Sequence, residues 1–179
     1  FAIRADDGTN LGKYRKVESD YNLFGPIGAV FYRPSGWHNI VTVADGENIK
    51  LYIDGVFHKS TSTIINGSPT GILYKTNANN ADLLLAATPS NLSNANGGAS
   101  SASNHFNCKL DEFSIWNYPL SSSTILAIFN NGVPFDLSTD SNGYNNSINQ
   151  IGYWRAEEGA GIEVSDSNIN NIGNTAYLI

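Results

Sequence analysis

Two Asp-Gly pairs, Asp45-Gly46 and Asp54-Gly55, punctuate the stretch GWHNIVTVADGENIKLYIDGVFHKS (residues 36–60) and restrict the fold more than any other feature. Between runs of alternating apolar and polar residues, Asp-Gly supplies the positive φ angles of a tight hairpin turn. Val41 and Val43 alternate with Ile40 and Thr42; Ile49, Leu51 and Ile53 alternate with Lys50, Tyr52 and Asp54; Val56-Phe57-His58 follows the second turn. Period-two alternation predicts strands with one dry and one wet face. The stretch therefore reads as a three-stranded antiparallel meander. Runs at 23–32, 71–74, 83–87, 106–116 and 148–154 repeat the theme, each bounded by Gly, Pro, Asn or Ser. Many short strands with turn-rich links predict an all-β antiparallel sandwich or barrel.

One segment departs from this pattern. SSSTILAIFNNG places Ser121 to Ser123 as capping residues ahead of Ile125, Ile128 and Phe129, which share a helical face, and ends on Gly132 as a left-handed cap. A short helix is expected near 121–131, and one of about two turns is stable only when packed on the sheets. The stretch TPSNLSNANGGASSASNH (residues 88–105) is longer than most connections and reads either as a tip that meets a ligand or as a solvated loop.

Charge and composition exclude several partners. The net charge is −6 with only ten Lys and Arg, which leaves no footprint for a phosphate backbone, so no nucleic-acid partner is expected. No apolar run is long enough to cross a bilayer, so no membrane insertion is expected either. With no Met at any position, the chain beginning at Phe1 reads as a processed product or a fragment. The single Cys108 reads first as a small buried hydrophobe and second as a reactive thiol. Three N-glycosylation sequons, at Asn66, Asn91 and Asn145, are no more than the roughly 4 that 24 Asn and 29 Ser plus Thr produce by chance.

Catalytic patterns are missing. Asp6-Asp7, Asp111-Glu112 and Glu157-Glu158 are sequence neighbours, and neighbours on a strand point to opposite faces, so none forms the carboxylate pair of a glycoside hydrolase unaided. There is no GxSxG elbow, and His38, His58 and His105 have neither triad partners nor zinc spacing. His38 reads as a strand residue with a satisfied hydrogen bond. No catalytic residue is assigned and the chain is not expected to be an enzyme.

Trp37-His38 before a strand, the hairpin with LYIDG at 51–55, and LDEFSIWNYPLS at 110–121 running into a short helix that ends NNG resemble laminin-G-like, concanavalin A-like domains, the modules of bacterial surface adhesins and phage structural proteins. The resemblance implies a jelly-roll sandwich of two antiparallel sheets. It also implies that Trp37, Trp116 and Trp154 pack internally, and that Trp37, Leu51, Ile53, Phe113, Ile115 and Phe129 share one core. GYWRAEEGAGIEVSDSN (residues 152–168) is similar to the opening motif of such domains. Two accounts fit: 148–179 are closing strands of one domain covering 1–179, or they open a second, truncated copy. On the first, Ile151 to Arg155 pairs beside Leu110 to Trp116. Cys108 stands where the family more often has Gly.

Related domains often hold calcium with carboxylates and backbone carbonyls; Asp111, Glu157 and Asp166 are the candidate ligands. Sugar-binding sandwiches stack pyranose rings on exposed aromatics, and Tyr52 on a wet strand face and Tyr144 in a loop are the candidate platforms, with Tyr14 and Tyr21 behind them. The expected function is a non-enzymatic display or adhesion module recognising a glycan or surface receptor. The alternative is a structural subunit of a virion, fibre or extracellular assembly, held by self-assembly or by other structural proteins. Either places it outside the cell, on a cell surface or on a virion.

Overall fold

A computed structural model of the protein describes residues 2–4, 14–17, 36–62, 64–65, 68–69, 88–89, 102–103, 109–161, 163–168 and 175–177. In chain order the strands are β1 (Ala2–Arg4), β2 (Tyr14–Lys16), β3 (Ile40–Ala44), β4 (Asn48–Ile53), β5 (Val56–Ser62), β6 (Ile64–Ile65), β7 (Ser68–Pro69), β8 (Thr88–Pro89), β9 (Ala102–Ser103), β10 (Phe113–Trp116), β11 (Gln150–Trp154), β12 (Glu163–Ser165) and β13 (Thr175–Tyr177). Helix α1 (Ser122–Phe129) lies between β10 and β11, and 3-10 turns occupy Asn130–Gly132 and Ser147–Asn149. Every pairing is antiparallel: β1 with β2, β3 with β4, β4 with β5, β6 with β7, β8 with β9, β10 with β11 and β12 with β13. Antiparallel strands with one short α-helix are what the alternation and the capping serines predict.

The chain divides into two compact units, residues 1–73 with 112–179, and residues 74–111. In the second, Thr88 pairs with Ser103 and Pro89 with Ala102, so the long Asn- and Ser-rich stretch starts and finishes in a two-residue ladder. The runs expected at 23–32, 71–74 and 83–87, together with Tyr21, His105 and Cys108, lie outside the described residues.

In the first unit the meander forms as expected, with one shift. Asp54 and Gly55 both take positive φ, 52° and 76°, and close the β4–β5 hairpin between the partners Ile53 and Val56. At the first turn only Gly46 is left-handed, at φ 95°. Asp45 sits one position earlier, where its backbone N–H donates to Asn48 O and its Oδ1 accepts from the N–H groups of Glu47 and Asn48. The turn is thus centred on Gly46-Glu47, and Asp45 stabilises it through its side chain.

The single dry face expected of this sheet is corrected by the packing. Ile49, Leu51 and Ile53 are buried with Val17 on one face, but Val41, Val43 and Tyr52 on the other are buried too, in a cluster with Ile125 and Ile128 of α1 and Tyr153 of β11. Strand pairing puts Val41 opposite Tyr52 and Val43 opposite Lys50. The second face is dry because α1 and β11 cover it, and only its Lys50 end reaches Asp45 at 2.6 Å. Leu51 and Ile53 therefore do not share a cluster with the helix.

Helix α1 starts as the serines predict. Ser121 is the N-cap, accepting from Thr124 N at 3.1 Å. Ile125 and Ile128, with Thr124, are buried, and Phe129 is half-buried. Its end differs: the left-handed backbone begins at Asn130 (φ 44°) and Asn131 (φ 55°), two residues before Gly132, and Asn130 Nδ2 donates to Val133 O. Asparagine tolerates this region through such local hydrogen bonds. A Cβ on Gly55 would lie 3.0 Å from Phe129 Cβ and 3.1 Å from Leu126 Cδ1, so the β4–β5 turn is both left-handed and pressed against α1.

β10 and β11 pair as anticipated, Phe113 with Trp154, Ser114 with Tyr153, Ile115 with Gly152 and, after a bulge, Trp116 with Gln150. The ladder starts at Phe113 rather than Leu110. Tyr153 and Trp116 face the main cluster, which puts Phe113 and Ile115 on the opposite face, half-buried and outside it. Trp37 is a clearer correction, being 66% exposed. It precedes the first ladder pair of β3, so no strand alternation turns it inward. The chain there is held instead by His38 Nδ1 to Asp54 Oδ2 at 3.1 Å and Asn39 N to Asp54 Oδ1 at 3.0 Å. His38 does have the satisfied hydrogen bond expected of it.

Candidate functional site

Between β10 and α1 the chain reads Asn117-Tyr118-Pro119-Leu120-Ser121. Pro119 has no N–H for a ladder, so the segment leaves the sheet before the helix cap. Leu120 is buried in the main cluster and Tyr118 is left 58% exposed. A second loop folds alongside. Ser141 and Tyr144 exchange backbone hydrogen bonds around Asn142-Gly143, both left-handed, and the loop continues through Asn145 and Asn146 to the turn at Ser147–Asn149. The two loops and the first turn of α1 enclose an open cleft of about 410 Å³, lined by Tyr118, Ser121, Ser123, Thr124, Gly143, Asn145, Asn146 and Asn149.

The walls are tied together. Ser121 Oγ lies 2.9 Å from both Ser123 Oγ and Thr124 Oγ1; Asn146 Nδ2 donates to Thr124 Oγ1 at 3.4 Å and to Asn145 Oδ1 at 2.8 Å; Asn149 Nδ2 donates to Asn146 Oδ1 at 3.3 Å. Asn117 N donates to Asn149 O at 2.9 Å, joining the two loops by backbone. The surface so formed is one aromatic ring beside uncharged hydroxyls and amides, preorganised by its own hydrogen bonds.

The two tyrosines chosen from sequence are not platforms. Tyr52 is 5% exposed, with its ring edge-on to Phe57 at 5.6 Å and its hydroxyl 3.0 Å from Ser122 Oγ. Tyr144 is 1% exposed; its hydroxyl accepts from Trp116 Nε1 at 3.0 Å and its ring lies edge-on to Phe135. Burial pushes the Tyr144 phenol above its usual range, opposed in part by the Trp116 donor. Both hydroxyls found partners inside, which is what allows the rings to be buried. Tyr144 was nonetheless close: its neighbours Gly143 and Asn145 line the cleft while it points away. Tyr118 was missed, although its place between a strand and a Pro is a signal that no sheet face claims it.

The carboxylates proposed for calcium are dispersed into other work. Asp166 Oδ1 accepts from Tyr153 N at 2.8 Å and Asn168 N at 2.9 Å, fastening the segment after β12 to β11. Glu157, exposed, takes Arg155 Nη2 at 3.2 Å. Asp111 is exposed. Among the described residues no three His, Cys, Asp or Glu side chains lie within reach of one ion.

A convergence that sequence neighbours hid surrounds Arg155, which meets Glu112 Oε1 at 3.4 Å, Asp136 Oδ2 at 3.7 Å and Glu157 Oε1. Glu112, at φ 52°, also accepts the hydroxyl of the fully buried Tyr153, and that hydroxyl receives Leu137 N at 3.3 Å. Burial first, and then the bond to Glu112, push the Tyr153 phenol well above its usual range. One guanidinium bridges these carboxylates and a phenol occupies one of them, so the group reads as a fastening of β11 rather than an acid–base pair.

Residues 27–126, more than half of the chain, match the laminin G model of the Concanavalin A-like lectin/glucanases superfamily. The chain belongs to this family. No curated protein and no solved structure matches it. The family match takes in the β3–β5 meander, β10 and the start of α1, including Tyr118, Ser121, Ser123 and Thr124; the Asn wall of the cleft lies beyond it. Laminin-G-like domains are generally non-catalytic binding modules.

Proposed function

We propose that the protein is a glycan-recognition module that binds without catalysis, displayed on a cell or virion surface as are the adhesins and phage proteins its motifs resemble. The observation that carries this reading is the cleft beside α1, where exposed Tyr118 stands next to hydroxyls and amides held in place by one another. A pyranose offers an apolar face for the ring and hydroxyls for the polar walls, and such combinations of one aromatic and convergent polar groups are the usual form of small-ligand sites. Family membership supports it in kind.

A glycan array, followed by calorimetry on the strongest hits, tests the reading. Tyr118→Ala removes the ring without touching the core, and the loss of about 1 kcal/mol of stacking weakens binding roughly five-fold. Hits that ignore this substitution place recognition elsewhere, and an array without hits leaves the structural-subunit alternative as the better reading.

A further inference from the structure

We infer that the cleft selects uncharged sugars and rejects uronates, sialic acids and sulfated glycans, an inference that rests on the glycan reading above. Among the described residues every lining side chain is neutral, and no Lys or Arg is among them. Arg155, in the same unit, is held by Glu112, Asp136 and Glu157. The charge on the loop that supplies the Asn wall is negative. Asp140 accepts from Ser147 N at 3.0 Å, inside the loop that supplies Gly143, Asn145, Asn146 and Asn149, and neighbouring Tyr144 feels its charge. Ser147 holds the Asp140 carboxyl below its usual range, so it is ionised at neutral pH. Among the described residues Asp140 has no ion-pair partner, so an acidic sugar entering beside this loop meets an uncompensated carboxylate, on a chain of net charge −6.

The donor and acceptor inventory agrees. Within the wall network Asn146 Nδ2 gives both its hydrogens, to Thr124 Oγ1 and Asn145 Oδ1, while Asn149 Nδ2 gives one, to Asn146 Oδ1. Among the described residues this leaves Asn145 Nδ2 and one N–H of Asn149 as donors and Asn149 Oδ1 as an acceptor, all on the loop that lines the cleft. A sugar hydroxyl both donates and accepts, so it can meet either kind of group, whereas a carboxylate or sulfate only accepts and gains nothing from Asn149 Oδ1. The N-terminal end of α1 favours an anion, but Ser121 already takes Thr124 N there and the effect of an eight-residue helix at a wet surface is small.

The test is a glycan array with uncharged and acidic oligosaccharides in comparable numbers, with the best ligand of each class titrated calorimetrically at about 50 and about 500 mM NaCl, a range over which screening changes strongly. Expected are hits confined to uncharged glycans, affinity altered less than about two-fold by salt, and a roughly five-fold loss in Tyr118→Ala. Asn145→Lys, at an exposed position, should admit acidic glycans at least ten-fold more tightly than the parent and make their binding salt-sensitive. Strongest hits among acidic glycans that still depend on Tyr118 would overturn this inference and leave the glycan reading intact. An array with no hits, or hits indifferent to both substitutions, would overturn the two together.

Discussion

Gly152→Ala is the substitution whose effect the structure fixes most sharply. Gly152 sits in β11 opposite Ile115, with Trp154 two residues on and on the same face. A Cβ there would lie 2.5 Å from Trp154 Cη2 and 2.6 Å from Cζ3, so the indole has to move. It is not free to do so cheaply, since Phe113 on the neighbouring strand stacks on it with ring centroids 5.6 Å apart and planes 27° from parallel. Keeping the ring in place overpacks the site at a cost of about 1–3 kcal/mol, and swinging it away gives up about 0.5–1.5 kcal/mol of ring stacking together with its burial. Against this, replacing glycine inside a strand returns about 0.5–1 kcal/mol, because Gly152 is not left-handed. The net expectation is a loss of about 1–2 kcal/mol, or a midpoint lowered by roughly 2–8 °C for a chain of this size. Urea unfolding followed by far-UV circular dichroism measures it without relying on tryptophan emission. In a Trp154→Ala background the same Gly152→Ala change should be neutral or stabilising, a coupling of at least about 1 kcal/mol. Equal or greater stability of the single variant, or a cost that persists once the indole is gone, would refute the steric argument.

Ile125→Ala empties a fully buried position between α1 and the β3–β4 face and should cost about 2–5 kcal/mol in the same unfolding assay. Stability against pH should fall at both ends. Asp45, bonded to Lys50, and Asp136, bonded to Ser138, have folded pKa values below their unfolded ones, so their contribution is present above about pH 4 and is lost as pH falls through the folded values. Tyr153 and Tyr144 are shifted the other way: the folded state holds their protons more tightly, so stability is full below about pH 10 and declines above it. Tyr153→Phe should lose about 1–3 kcal/mol at neutral pH by removing one partner of Glu112 and stranding Leu137 N, and should flatten the alkaline decline in a series of melting temperatures. An unchanged alkaline limb would mean that Tyr153 ionises as freely folded as unfolded.

Where a residue's role depends on its own strand or turn, the sequence shows it. Asp54-Gly55 needs two positive φ values and has them, and the Ile49, Leu51, Ile53 alternation names a buried face correctly. What escaped depends on a distant neighbour. Tyr52 shares its face with Lys50, and only the arrival of α1 and β11, some seventy to a hundred residues on, decides that one is buried and the other meets water. Phe113 and Tyr153 illustrate the same limit: alternation separates two faces of β10 and β11 but does not say which one meets the core. For the cleft, Tyr118 and the Asn wall come from loops about thirty residues apart, and loops carry no periodicity from which a facing direction can be read.

That origin also decides which substitutions separate binding from folding. Tyr118 is exposed and caps nothing, so Tyr118→Ala should leave stability within about 0.5 kcal/mol of the parent while weakening binding. Ser121 cannot be treated so. Its hydroxyl caps α1 through Thr124 N and also holds Ser123 and Thr124, the latter in turn receiving Asn146 from the opposite wall. Ser121→Ala should therefore cost about 1 kcal/mol of stability through the lost cap and also loosen the cleft. Measured well below the melting point, where the variant is still fully folded, its affinity for the strongest array ligand should fall alongside its stability, whereas in Tyr118→Ala only the affinity falls. If Ser121→Ala melts earlier yet binds as tightly as the parent, the hydrogen-bonded wall is a by-product of helix capping and contributes nothing to holding the ligand.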